Sequence, residues 1–502
     1  MDVKKKYQEY TLHLQKIADL RYAIAVLQWD QETYMPQKGA AFRAQQIATL
    51  SEMSHEMFTR ESFKNLLQDL MAGGGLDETA QKNVSLSWYD YTQQQKVSGD
   101  FVRRLSEAIS TSFQAWVSAK SAGNFSLFEK ELTALLALKK QEADLLGYEA
   151  HPYNALLNQY ERGCTVSLLD RVFNSLQQPL KKILDAITAS PQVTDDFLRR
   201  HYPKDQQWAF GMELMKQLGF DFTAGRQDIA EHPFTTNFSS QDVRLTTRID
   251  EHDFSNMTWS CIHECGHGLY EQGIPASAYG LPLGEFTSLS IHESQSRLWE
   301  NNVGRSFDSW QYFYPQAQQY FPEALKEVPL QQFYKGINKV QPSFIRTEAD
   351  ELTYHFHVLI RYELEKKLLD NQLAVKDIPA YWNDQYYKLL GIRVPDDKKG
   401  CLQDVHWSHG SFGYFPTYSL GSFYAAQFFD AAKKNIPNLS PAITNGNYKP
   451  LLDWLRISVH AHGRRFTSEE LCERICGSPL NIDYFIQYAT AKYRDIYGFK
   501  EE

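Results

Sequence analysis

Residues Trp259–Gly273 read WSCIHECGHGLYEQG, and the reading of the whole chain turns on this stretch. It sets His263, Glu264 and His267 in the order H-E-x-x-H. Side chains four apart on an α-helix share a face, so both imidazoles reach one ion. The Glu next to the first His then stands beside that ion without binding it. A catalytic zinc takes three protein ligands and keeps one position open. The ion acidifies water, and a carboxylate within reach takes the proton as the water attacks a carbonyl. The plain alternative is a pair of surface histidines on an amphipathic helix.

A third ligand sharpens the choice. TSLSIHESQSRLWENNVG, from Thr287 to Gly304, has the pattern of a second helix, and its Glu293 follows His267 by 26 residues. His292 points about 100° away from Glu293 on a helix, so the two cannot easily serve one ion. In helical zinc peptidases a Glu from a following helix completes the site in this way, so Glu293 is the expected ligand, against the alternative of a helical Glu paired with Arg297 four residues on. Cys261 and Cys265 lie on the same predicted helix but off the face of the histidines, and they read as packing residues.

Around this segment the chain is dominated by helical periodicity. YTLHLQKIADLRYAIAVLQWD and MPQKGAAFRAQQIATLSEMSHEMF form a helical hairpin with Trp29 and Asp30 at its bend. A long helix follows that stops at Gly147, and another contains Pro179. The one strand pair expected is Thr235–Asp250, with Val243, Leu245, Thr247 and Ile249 alternating and SSQD as the turn. The fold class is thus all-α with a small antiparallel sheet beside the site. Residues 1–502 read as a single helical domain, two lobes around a central groove, since no Gly/Ser- or Pro-rich linker divides them.

Composition narrows the partners. With 52 Lys+Arg against 61 Asp+Glu the net charge is −9, which gives no electrostatic footprint for nucleic acid. No apolar run is long enough to span a membrane, and the N-terminal residues lack a signal-peptide core. Six cysteines in 502 residues do not make a disulfide framework, and a cytoplasmic protein with reduced thiols is expected.

Further segments carry a resemblance. HPF (His232–Phe234), DVRLT (Asp242–Thr246), HECGH, HESQS (His292–Ser296), IRTEAD (Ile345–Asp350) and GCLQDVHW (Gly400–Trp407) occur in this order. Together with FGYFPTYSLG (Phe412–Gly421) and WDQETYMPQKGAAFRAQQ they make the chain resemble the carboxypeptidase Taq family of metallocarboxypeptidases. The resemblance implies a saddle-like helical fold with a deep groove, akin to neurolysin and angiotensin-converting enzyme. It implies a cytosolic homodimer that removes single amino acids from free peptide C-termini, broadly but disfavouring Pro, using zinc or, in some members, cobalt.

In that setting His263, His267 and Glu293 are expected to hold the ion, with Glu264 as general base. A phenol suits the developing oxyanion, and Tyr418, then Tyr414, are the candidates. A guanidinium suits the substrate's terminal carboxylate because its planar fork binds bidentately. Arg346 is the choice, with an internal pair to Glu348 or Asp350 as its alternative. Arg244 is expected to pair with Asp404 and shape the groove's closed end. His232 and His406 are candidates to donate to the substrate backbone, and the strand of residues 235–250 to pair with an extended peptide. The rival readings are an endopeptidase or peptidyl-dipeptidase on the same fold, and a non-catalytic helical scaffold.

Overall fold

The computed structural model describes residues 2–500. Helix α1 (Val3–Thr33) starts where the Asp2 side chain accepts from the Lys4 amide. It runs on through Trp29 and Asp30, the residues expected at the bend. The reversal comes one turn later, where the Tyr34 and Met35 amides both donate to the Asp30 carbonyl at 2.9 and 2.8 Å. Helix α2 (Ala40–Thr59) returns alongside, and its Arg43 holds Asp30 at 2.7 Å. These helices and the two that follow enclose a hydrophobic cluster of their own, built on Tyr10, Leu14, Ile17, Phe58, Phe63 and Leu67. A second and larger cluster occupies the rest of the chain. The helix Ser126–Leu146 ends at Gly147, whose φ of 79° no β-carbon favours, and the helix Val166–Thr188 contains Pro179.

The sheet is small and mixed, which corrects the expectation of an antiparallel one. Strands β1 (Gly225–Ile229), β2 (Thr235–Ser239) and β3 (Asp242–Thr247) lie in the order β1-β3-β2. β2 and β3 form the anticipated hairpin, whereas β1 pairs parallel to β3. Its sequence, GRQDI, has no alternation of apolar and polar residues, so periodicity did not reveal it. In β3, Val243 and Leu245 are fully buried against the main core, as the alternation requires.

Helix α3 (Phe254–Gly273) carries the H-E-x-x-H segment and is capped by Asp253, whose carboxylate accepts from the Ser255 amide at 2.9 Å. Helix α4 (Leu289–Arg297) is capped by Ser288 and runs into a wider π-helical turn, Leu298–Gly304. Helices α5 (Tyr354–Leu369) and α6 (Phe415–Asn435) complete the frame of the site.

Two glycines fix the position of α4. A β-carbon on Gly266 of α3 would lie 2.6 Å from the Ser296 α-carbon, and one on Gly421 of α6 would lie 2.6 Å from the Glu293 β-carbon. Helix α4 is thus held between two neighbours at near-backbone contact.

Candidate active site

The face of α3 that bears His263 and His267 meets α4 at Glu293. One donor atom from each of the three lies within 4.8 Å of the others. Glu293 Oε2 is 3.8 Å from His263 Nε2 and 3.6 Å from His267 Nε2. Its Oε1 accepts from Arg297 Nε at 2.7 Å. Ligand geometry and the Arg297 pair were alternatives on sequence grounds, and the structure satisfies both, one carboxylate oxygen for each. Two imidazole nitrogens and one carboxylate oxygen are a donor set suited to zinc and to its first-row neighbours.

Each histidine is braced from behind. His263 Nδ1 lies 2.9 Å from Glu300 Oε2, a residue that sequence reasoning passed over. Glu300 also takes bonds from Arg297 Nη1 at 3.0 Å and Arg305 Nη2 at 3.2 Å. Burial opposes its charge, yet Arg297 and His263 hold its carboxyl well below the usual range. The signal was present: Glu293, Arg297 and Glu300 follow the spacing i, i+4, i+7 and share a helix face. His267 Nδ1 lies 2.5 Å from His292 Nδ1, and His292 Nε2 lies 2.8 Å from Glu271 Oε1. His292 therefore stands behind His267 and is not among the three residues whose donor atoms converge. Burial, with His292 and His263 nearby, keeps the His267 pKa well below that of free imidazole, so the ring is in its neutral, ligating form.

Glu264 is buried, and its Oε2 accepts from the Thr235 hydroxyl of β2 at 2.6 Å. Burial raises its carboxyl above the ordinary range, against the lowering pull of His263 and Thr235. That is the direction a general base near neutrality needs. Cys261 and Cys265 are fully buried on the core side of α3, as packing residues should be.

A second charged cluster meets the Tyr354 hydroxyl. Arg346 donates through Nε and Nη2 to Asp404 Oδ1 at 3.1 and 2.9 Å, and through Nη1 to the Tyr354 hydroxyl at 2.8 Å. Arg361, fully buried on α5, donates through Nε to Asp404 Oδ2 at 2.6 Å. Neither Glu348 nor Asp350 holds Arg346. Asp350 instead accepts from Leu352, Thr353 and Gln341. Nor does Asp404 pair with Arg244, whose guanidinium binds Asp242 at 2.7 Å and lies over the rings of Trp29 and Phe238. Trp29, from α1, and Asp242 are the partners that Arg244 takes in place of Asp404. Arg361 is a second member of this site that sequence reasoning missed.

The remaining candidates divide. Tyr414 and Tyr418 share the face of α6 that carries Gly421 toward Glu293, their rings 5.3 Å apart. Burial raises both phenols, so each keeps its proton as a donor. The Arg346 guanidinium lies 4.8 Å over the Tyr418 ring. His406 Nε2 is 3.4 Å from the Tyr418 hydroxyl, and burial depresses its pKa to about 4. The His232 side chain, by contrast, is exposed on the β1–β2 connection and is not brought against either cluster. Two cavities of about 510 and 320 Å³ share Tyr22, Asn237, Glu271 and Gly284, and so meet at β2 beside Glu271. Among the described residues no helix is long and apolar enough to cross a membrane.

The profile of the carboxypeptidase Taq (M32) metallopeptidases matches residues 9–493. Carboxypeptidase 1 of Bacillus subtilis is 37% identical over 499 residues, covering 99% of this chain and 100% of that protein. Among solved structures, that of CHT is 56% identical with a TM-score of 0.96, covering 97% and 99% of the two chains. The M32 carboxypeptidase of Deinococcus radiodurans R1 is 37% identical with a TM-score of 0.97, covering 98% and 100%. With a histidine pair, a facing glutamate and likeness along nearly its whole length, the chain belongs to the carboxypeptidase Taq (M32) family and is a metallocarboxypeptidase.

Proposed function

We propose that the chain is a zinc-dependent exopeptidase that removes single amino acids from free peptide C-termini. It accepts most side chains, disfavours Pro and tolerates cobalt in place of zinc. The observation that carries this reading is Tyr354, whose ring centroid lies 4.9 Å from the Arg297 guanidinium and 5.8 Å from that of Arg346. One tyrosine thus meets both a cluster that draws a cation and a cluster that draws an anion. A terminal carboxylate and the peptide carbonyl before it are also one residue apart, about 3.8 Å from α-carbon to α-carbon.

His263, His267 and Glu293 would hold the ion, which supplies Lewis acidity toward a carbonyl and lowers the pKa of water. Glu264 takes the proton from the attacking water and returns it to the leaving amine. Tyr418, with Tyr414 beside it, donates to the oxyanion. Arg346 keeps one N–H on each terminal nitrogen uncommitted, and these receive the substrate carboxylate. Asp404 and Arg361 hold that fork in place. His406 donates to the substrate backbone, and the peptide lies along β2 by strand addition. Arg244, stacked on Trp29, supports the sheet that forms this wall. His232 has a lesser part, meeting only the outer end of a long substrate. The reading extends to a cytoplasmic homodimer, as the sequence resemblance implies, with a single helical domain forming two lobes around the groove.

The test is mass spectrometry of a ten-residue peptide and its C-terminally amidated copy after incubation with zinc-loaded enzyme. A ladder of single-residue losses from the free peptide alone supports the reading. Internal fragments, losses in pairs, or equal cleavage of both copies favour the endopeptidase or dipeptidase alternative. No cleavage with any divalent metal favours a scaffold.

A further inference from the structure

The two histidines on α3 are locked by chains of different length. His263 Nδ1 meets a carboxylate directly, at Glu300 Oε2. His267 reaches one only through a second imidazole: its Nδ1 faces His292 Nδ1, and His292 Nε2 faces Glu271 Oε1. Glu271 is buried, and its other oxygen, Oε2, accepts from Asn237 Nδ2 of β2 at 2.6 Å.

We propose that Glu271 is a positioning residue that sets the tautomer of His267 through His292, and that Asn237 fixes the direction of this relay. The inference rests on the metal reading above. Its logic is donor and acceptor bookkeeping along four residues. A carboxylate can only accept, so the hydrogen of the His292 ring sits on Nε2, and His292 Nδ1 offers a lone pair. His267 must then carry its hydrogen on Nδ1, which leaves Nε2 bare and directed at Glu293 Oε2, 3.6 Å away. A metal ligand needs that bare nitrogen.

The relay is reversible by one isosteric change. In a Glu271→Gln variant the amide oxygen takes the Asn237 Nδ2 hydrogen that the carboxylate accepts in the parent. The amide nitrogen then faces His292 Nε2 and donates to it. His292 is forced to carry its hydrogen on Nδ1 and donates in turn to His267 Nδ1. The hydrogen of His267 moves to Nε2, the atom that should bind the ion. No bond outside this chain has changed. A second substitution undoes the reversal: with Asn237→Asp added, the new carboxylate accepts from the amide nitrogen introduced at position 271. The amide oxygen then faces His292 and receives its Nε2 hydrogen as the Glu271 carboxylate does in the parent.

The experiment measures zinc affinity by competition with a chromogenic chelator, on full-length parent, E271Q and the double variant N237D/E271Q. Loss of fold is followed by the melting of the metal-free proteins. E271Q is expected to weaken zinc binding by about 10–100-fold, and the double variant to bring it back to within a few-fold of the parent. Parent-like affinity in E271Q would overturn the relay. So would a double variant that melts like the parent yet binds as weakly as E271Q, since the loss would then follow from the missing charge. A parent whose zinc binding is absent, or is untouched by H263A and H267A, would remove the metal reading itself. Tight parental binding with an indifferent E271Q would remove the relay alone.

Discussion

In the metal cluster Glu264, Glu293 and Glu300 stand against Arg297 and Arg305. In the second cluster Arg346 and Arg361 stand against Asp404. The first group has one carboxylate too many and the second one guanidinium too many. An uncompensated buried charge costs several kcal/mol, so each surplus states the sign of what that pocket receives. The two are also assembled differently. Every charged group of the metal cluster comes from residues 263–305, two successive helices and their extension. The arginine cluster is gathered from residues 346, 361 and 404, on a 3₁₀ turn, a helix and a loop.

If the clusters do separate work, they must break separately. The largest expected effect is at Glu264. Glu264→Gln should leave the zinc content unchanged and lower kcat by about 10³-fold, read by metal analysis beside initial rates. Substantial residual turnover would remove Glu264 as the base. Next, Arg346→Ala should lower kcat/KM for free peptides by about 100-fold, about 2.7 kcal/mol. Its zinc affinity should stay that of the parent. An equal loss on amidated peptides would deny the arginine cluster its role as carboxylate receptor.

Gly421→Ala tests whether one helix contact serves the metal side alone. The added methyl would meet Glu293 Cγ at 2.5 Å, costing about 1–3 kcal/mol of fold stability and displacing the third ligand. Urea unfolding with parallel zinc titration reads both, and a variant of unchanged zinc affinity would show that the helix absorbs the methyl. The smallest effect concerns His355, which contacts Ser419 at 2.9 Å. Burial, aided by Arg297, depresses its pKa to about 3, whereas an unfolded histidine titrates near about 6.5. Below that value the unfolded chain binds the extra proton. The contribution is thus fully present above pH 6.5 and is lost as pH falls toward 3, at about 1.4 kcal/mol per unit. Urea midpoints at pH 7 and pH 5 should therefore converge in H355N relative to the parent.

The contrast in assembly also decides what the sequence discloses. His263, Glu264 and His267 are legible because helix geometry sets the two histidines on one face, and Glu293 because it lies on the next predicted helix, 26 positions past the last histidine. Glu300 was equally local and could have been found from the i, i+4, i+7 spacing. Asp404 was given to Arg244, and Glu348 or Asp350 stood as the alternative partner of Arg346, because nothing in spacing says which arginine approaches a given carboxylate across 58 residues of chain. Arg361 sits on a fully buried helix face where the pattern predicts apolar residues. The long helices and the β2–β3 hairpin were readable from periodicity. Strand β1 was not, since its pairing with β3 supplies a stability that its own residues do not advertise.

The clamping of α4 by Gly266 and Gly421 bears on which ion the centre can hold. A ligand on a loose loop follows an ion of any radius, drawing in for a small one and retreating for a large one. Glu293 has no room to retreat, since its own backbone is wedged between two helices. Rigid donors at fixed separations favour ions of one size and reject a calcium-sized ion, which prefers more oxygens at about 2.3–2.6 Å in a yielding cage. Selectivity at this centre is then a mechanical property of helix packing as much as a chemical property of the donors.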